Sequence, residues 1–376
     1  MKRVLFLIES LSGGGAEKVL STLVCHLNKN VFDVSVCSIV GGGQYENIVR
    51  DYVKYKALLN RPCKRISVQN LLYHIKYHLI YDWLPLQLVY SLFIPKKNDV
   101  EIAFIEGFST KLLAHSSNIC AKKIAWVHTD FRNHHWTKSL YLNDSEEECV
   151  YNSYNQIVAV ARTVEGAIKD YFCLQPPIIT LYNPIDDIII KHLADVAPRF
   201  PKNSFRLVSA GRLTSVKAFD RLIRIMERLR EDGFIVELWL LGSGEEHSFL
   251  ESLIHEKNLQ DSVTLFGFQA NPYGYYAQSD LFVCSSLSEG YSTAVTEALV
   301  LGLPIVTTNC SGMTELLGGG SCGLITENNE DALFEGIKRV LLNKDLYAYF
   351  KRNAELWNKN SLLETRVNSI ERLLLS

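Results

Sequence analysis

Short apolar runs alternate with segments of helical spacing along almost the whole chain, and this alternation constrains the fold more than any other feature. In the first half the runs are Arg3–Ile8, Asp33–Val40, Val100–Ile105, Lys122–His128 and Gln156–Ala161, and a Gly-rich turn, Gly13–Gly15, opens a helical stretch that ends near Lys29. Runs this short and continuous suit strands of a parallel sheet buried on both faces. Strand, helix and strand in repetition predict a doubly wound α/β domain. The pattern pauses between Leu181 and Ser204, where Pro184, Pro198 and Pro201 punctuate a polar connection. A second series follows, with runs at Phe205–Gly211, Ile235–Gly242, Ser262–Phe268, Asp280–Ser286 and Leu303–Asn309, and helical segments such as Phe219–Glu231 and Glu245–Asn258 between them. The expected architecture is two Rossmann-like doubly wound domains, residues 1–185 and 203–355, with a C-terminal helix, 356–376, packing back on the first. Two such domains imply a central cleft, because ligands of open α/β sheets bind outside the carboxyl ends of the strands.

Composition narrows the function classes. A net charge of -2 gives no reason to expect nucleic acid as a partner. The nine cysteines are scattered with no C-x-x-C pair, which argues against a disulfide framework or a zinc site and for a reducing cytoplasm. The opening residues resemble the start of a signal peptide, but Glu9 interrupts the apolar run too early, so it reads as a first strand.

Two segments bear on membranes. Leu79–Lys97 is broken by Asp82, Pro85 and Gln87 and falls short of the roughly 20 apolar residues a span needs. With Trp and Tyr among its leucines and Lys96–Lys97 at its end, it fits a segment lying on a bilayer; burial under a loop is the default alternative. Residues 1–185 hold 20 Lys+Arg against 16 Asp+Glu, while the remainder holds 19 against 25. Arg50–Arg65 is the most basic stretch, with Arg50, Lys54, Lys56, Arg61, Lys64 and Arg65 opposed only by Asp51. It reads equally as a solvated face or a lipid-facing patch. The expected location is cytoplasmic, with an anionic membrane surface as a candidate partner of the first domain.

Four loops of the second half carry the chemistry. After the Phe205 run, Arg212 and Lys217 lie five apart, a planar fork and a point charge that can converge on a diphosphate; a surface loop with two cations is equally common. Gly242-Ser243-Gly244 is a tight turn into a helix, compatible with close approach of a nucleotide but lacking a third glycine. Gly267 and Phe268 sit in a loop able to frame a base, although Phe268 could as well pack in the core. The fourth loop is Glu289-Gly290-Tyr291-Ser292, followed by Thr293 as a fair N-cap for a helix that carries Glu297 one turn in. The N–H groups at that helix start favour an anion. Dipole complementation alone accounts for Glu297, but not for Glu289, the glycine and the cationic loop together. Glu297 is placed to accept from both hydroxyls of a ribose, with Glu289 facing the other end of the same ligand.

"GRLTSVK", "LGSGEE", "FGFQANPY" and "SEGYSTAVTEALVLGLPIVTT", in that order, resemble the retaining glycosyltransferases of family 4, which have the GT-B fold; "LSGGGAEKVL" and "WVHTD" agree in the first half. The resemblance implies transfer of a hexose or N-acetylhexosamine from a nucleotide-sugar, a UDP-sugar by preference, to a glycan or lipid-linked acceptor in cell-surface polysaccharide synthesis. It implies retention and no metal or other cofactor. By motif, Arg212 and Lys217 would neutralise the diphosphate and Glu297 would bind ribose. Glu289 with Gly290, Tyr291 and Ser292 would hold the donor sugar and phosphate. Gly14 and Gly15 would approach the diphosphate from the first domain, and His128 would sit over the donor sugar. Ala218 departs from the glycine usual after the lysine.

Without the motif, His128 reads as a buried structural histidine. Asp130, His134 and His135 lie near it but have no ligand spacing, and no D-x-D occurs. A glycoside phosphorylase, a sugar-nucleotide epimerase of the same fold and a catalytically silent binding subunit are the rival classes. The complete set of Arg212, Lys217, Glu289 and Glu297 counts against the last.

Overall fold

The computed structural model describes residues 1–61, 68–357 and 362–376. The chain forms two compact units, one of residues 1–184 with 364–376, the other of residues 185–363. The first contains strands β1 (Lys2–Ile8), β2 (Phe32–Val40), β3 (Lys54–Leu59), β4 (Val100–Ala103), β5 (Lys122–Val127), β6 (Gln156–Ala159) and β7 (Ile178–Thr180). They form one parallel sheet in the order β3-β2-β1-β4-β5-β6-β7. The second contains β8 (Phe205–Ala210), β9 (Val236–Leu241), β10 (Val263–Leu265), β11 (Leu281–Cys284), β12 (Ile305–Thr308) and β13 (Gly323–Thr326), parallel and ordered β10-β9-β8-β11-β12-β13.

Each apolar run of the sequence is a strand, and Val4–Ile8, Ile102, Val283 and Val306 are fully buried at the sheet centres. The continuous apolar pattern reports burial on both faces. Three strands lacked it, namely β3, β7 and β13, and all lie at sheet edges. In β3 the sequence Lys-Tyr-Lys alternates exposed and half-buried positions, and charged side chains at an edge discourage further pairing.

Several expectations on organisation need correction. The stretch read as a polar connection contains a helix, Asp187–Asp195, whose N-cap Asp186 accepts from the Ile189 amide at 2.9 Å. Asn271 Nδ2 donates to Leu193 O at 2.9 Å, so this helix belongs to the second unit, which begins at Ile185 and not at residue 203. At the other end, Trp357 Nε1 donates to Leu316 O at 2.8 Å and the second unit extends to Leu363. From Glu364 the final helix lies with the first unit. Lys2 Nζ and Lys122 Nζ donate to the carbonyls of Leu375 and Leu373, each at 3.0 Å, two cations at a helix C-terminus where the dipole favours them.

The basic stretch is largely committed to internal partners. Arg50 pairs with Glu46 at 2.7 Å, Lys54 with Asp33 at 2.8 Å, and Lys56 donates to Phe93 O at 2.6 Å; Lys64 and Arg65 lie outside the described residues. Leu79–Lys97 matches neither of its readings whole. It forms a π-turn, Leu79–Trp83, and a helix, Leu86–Phe93, with Ile80, Val89 and Tyr90 buried while Trp83, Leu88 and Leu92 are exposed. No helix among the described residues is long and apolar enough to cross a membrane. The eight cysteines of the described residues are free thiols.

Candidate functional site

In the second unit β8 and β11 are neighbours at the point where the strand order reverses, the position at which open α/β sheets bind ligands. The loops leaving these strands carry Arg212, Lys217 and Glu289. The Gly211–Lys217 loop is seated by glycines on the next strand's loop. A Cβ on Gly242 (φ +141°) would lie 1.8 Å from Gly211 O, and one on Gly244 would lie 2.2 Å from Leu213 O. Leu213 N donates to Ser243 O at 3.0 Å and Gly242 N to Gly267 O at 2.8 Å. The G-x-G turn therefore places the cationic loop, a role its spacing did not reveal. Ala218 closes the loop at φ +48°, ψ +47°, the left-handed conformation that favours glycine.

Lys217 Nζ and Glu289 Oε1 lie 2.6 Å apart, their side chains only 26% and 10% exposed. Ser286 Oγ donates to the same carboxylate oxygen at 2.6 Å. Burial pulls the Lys217 pKa down, but the charge and hydrogen bond of Glu289 more than offset this and leave it raised. The two loops are also joined through backbone: Ser285 Oγ donates to Lys217 O at 2.8 Å and Leu287 N to Val216 O at 2.7 Å. Arg212, on the same loop, is exposed.

The turn after Glu289 enters the helix Thr293–Val300. Ser292 is its N-cap, accepting from Val295 N at 3.5 Å, and Thr293 is the first helical residue, which corrects the cap assignment. Glu297 is 4% exposed on the second turn. Gly290, Tyr291 and Ser292 are buried, and Gly312 (φ +77°) passes so close that a Cβ there would lie 2.6 Å from Gly290 O. Gly312 and Ser286 were not singled out from sequence; only the tertiary neighbours give them a role. In the loop after β10, Gly267 has φ +66° with no atom near its missing Cβ. Phe268 is 45% exposed, while the half-buried ring of Phe266 packs against Trp239 and Tyr275.

In the first unit the matching positions also follow strand ends. Gly14 is the N-cap of the helix Gly15–His26 and gives it no side-chain cap. Gly43 presses on this loop, a Cβ there lying 2.2 Å from Leu11 O. His128 follows β5. Its backbone N donates to Glu106 Oε2 at 2.9 Å, and its ring contacts Phe104 with centroids 5.3 Å apart. Its Nε2 is buried without a hydrogen-bond partner among the described residues. Burial lowers its pKa, partly countered by the Glu106 carboxylate. Glu106 also accepts from Thr129 Oγ1 and from Trp136 Nε1, so this buried carboxylate organises the loop that carries His128. His135 pairs with Glu147 at 2.7 Å, and Asp130 accepts from Arg132 and Asn133. Among the described residues no group of three or more potential metal ligands occurs.

A partly buried cation held against a carboxylate, the start of a helix and a buried carboxylate one turn in form a set able to bind a nucleoside diphosphate. Residues 193–357 match the model of the family described as glycosyl transferases group 1. Over 179 residues the chain is 38% identical to the N-acetylgalactosamine-N,N'-diacetylbacillosaminyl-diphospho-undecaprenol 4-alpha-N-acetylgalactosaminyltransferase of Campylobacter jejuni; the match spans 46% of this chain and 47% of that relative, about half of each. An uncharacterized glycosyltransferase of Haemophilus influenzae is 24% identical over 384 residues, covering all of both chains. The fold is that of the Anabaena protein HepE, solved in complex with UDP and glucose, with TM-score 0.77 and 19% identity over the whole of both chains.

Proposed function

We propose that this chain, whose residues 193–357 match the glycosyl transferases group 1 family and whose fold is GT-B, transfers a sugar from a UDP-sugar to a lipid-linked glycan acceptor in polysaccharide synthesis, with retention at the anomeric carbon. The observation that carries this reading is the Lys217–Glu289 pair beside the start of the helix that buries Glu297. The bond from the anomeric carbon to the diphosphate oxygen breaks, and an acceptor hydroxyl forms the new bond on the same face. The departing phosphate oxygen takes the hydroxyl's proton. Charge grows on the diphosphate as the bond breaks, and Arg212, Lys217 and the helix start supply preorganised positive charge there. An ammonium has three donors, so Lys217 can keep Glu289 and still reach a phosphate oxygen. Glu297 accepts from the ribose hydroxyls, while Glu289 and the Gly290–Ser292 turn hold the sugar and its phosphate. His128, neutral because it is buried, donates to the sugar from Nε2. The diphospho-undecaprenol named for the Campylobacter relative supports a lipid-linked acceptor here.

The test incubates the chain with a panel of radiolabelled UDP-sugars and an undecaprenyl-diphosphate-linked glycan, following UDP release and the anomer of the product. Transfer with retention, undiminished by EDTA, is the expected result. Epimerised donor without transfer, or binding without turnover, rejects the reading, and loss of activity in EDTA rejects its metal-free form.

A further inference from the structure

The helix Val68–His78 carries its aliphatic stripe outward. Val68, Leu71, Leu72 and Ile75 follow the i, i+3, i+4, i+7 spacing of one helix face and are each between 42% and 75% exposed. The helix buries none of its side chains. Its other face supplies Tyr77, which stacks on Tyr81 with centroids 4.5 Å apart. Tyr81 packs on Phe108 at 4.2 Å and hydrogen-bonds Glu9, the residue that follows β1. The helix is therefore fastened through its tyrosines to the carboxyl end of the first unit's sheet, and the aliphatic stripe stays exposed. Trp83, stacked on His78 at 5.5 Å, and Leu92 are also exposed, at 62% and 65%.

Cations edge this surface. Lys76 Nζ lies over the Phe93 ring at 5.5 Å, Lys56 caps the Phe93 carbonyl, and Lys96 and Lys97 close the segment. The sole acid between Val68 and Lys97 is Asp82, hydrogen-bonded to His78 at 2.6 Å. We propose that this face lies in the headgroup region of an anionic lipid leaflet, with the stripe and Trp83 at the acyl boundary and the lysines on the phosphates. An outward aliphatic stripe edged by Trp and Lys, with a single acid in the segment, is the composition of an in-plane interfacial helix. The attachment through Tyr81 to Glu9 sets that surface beside the strand ends where a lipid-linked acceptor would present its sugar. The biological purpose of the contact rests on the lipid-linked acceptor proposed above; the contact itself does not.

Flotation of the full chain with vesicles of phosphatidylglycerol and phosphatidylethanolamine tests this without donor or acceptor, beside vesicles of phosphatidylcholine alone. Wild type is expected to float with the anionic vesicles, with a blue shift in tryptophan emission that Trp83→Phe removes. A Leu71→Ser/Leu72→Ser/Ile75→Ser variant should lose binding by about tenfold for each leucine while keeping a Tm close to wild type, since none of these side chains is part of the core. Wild type that stays in solution, or a triple variant that floats equally well, overturns the proposal. So does a wild-type dimer, measured by light scattering, that the triple variant converts to monomer, because a second copy would then own the surface. Floating without sugar transfer would fail the enzymatic reading alone; transfer to a soluble acceptor without floating would fail this inference alone.

Discussion

Lys217 and Glu289 hold each other at 2.6 Å from loops that leave neighbouring strands, and Ser286 fixes the carboxylate from a third direction. The cation proposed for the diphosphate thus rests on the carboxylate proposed for the sugar. Glu289→Gln should leave UDP affinity equal or tighter, because the ammonium no longer has a competing anion, while sugar transfer falls by about a hundredfold. Calorimetric titration with UDP decides: weaker UDP binding in the variant places Glu289 on the nucleotide instead.

The raised pKa of Lys217 also sets a pH window. A base whose folded pKa lies above its ordinary value of 10.5 contributes stability that is complete below 10.5 and is lost as pH rises through the folded value. Lys217→Met should therefore be less stable than wild type by a constant margin from pH 7 to 10, of about 1–3 kcal/mol for leaving Glu289 unpaired. The margin should shrink only in stronger alkali, as denaturant melts across that range would show. A margin that already closes near neutral pH contradicts the pairing.

His128 works in the opposite sense. Burial lowers its folded pKa below the ordinary 6.5, so its stability contribution is present above 6.5 and lost as pH falls through the folded value. Wild-type Tm should fall on acidification from pH 7 to 5, and His128→Gln should flatten part of that slope. Equal slopes in the two proteins would show that the imidazole is not held neutral.

Glu297 is buried on the second turn of its helix. Glu297→Gln keeps the shape and one acceptor oxygen but removes the charge, and hydrogen bonds to charged groups contribute about 1.5–3 kcal/mol. UDP affinity should drop by about ten- to a hundredfold with little change in Tm. Unchanged affinity for UDP, with uridine as the control ligand, removes Glu297 from the ribose.

Gly242 and Gly267 both have positive φ, yet they should respond differently to alanine. A Cβ on Gly242 meets Gly211 O at 1.8 Å, whereas one on Gly267 meets nothing. Gly267→Ala should cost about 1–2 kcal/mol of backbone strain. Gly242→Ala should cost more and also weaken UDP binding, because the Gly211–Lys217 loop must move. Equal losses in chemical denaturation would mean that the glycine contact does not seat that loop.

Much of this was legible before any coordinates. Strands such as β1, β8 and β11 write continuous apolar runs because helices cover both their faces, and the loops after them are marked by glycines and charges that no core residue would supply. The left-handed backbone at Ala218 could not be read in this way, since alanine there replaces the residue that would have announced it. The edge strands β3, β7 and β13 were missed because one open side dilutes the pattern. The helix Asp187–Asp195 was missed because flanking prolines masked its cap.

The sequence alone determined the two α/β series, the order of the loops and the residue types available at each strand end, since periodicity reports which face of an element is buried. It does not report what lies against that face. That Lys217 meets Glu289 across 72 residues, that Gly242 makes room for Gly211, and that Val68, Leu71, Leu72 and Ile75 point outward were decided by strand order and packing, because neighbours in space are set by which strands pair.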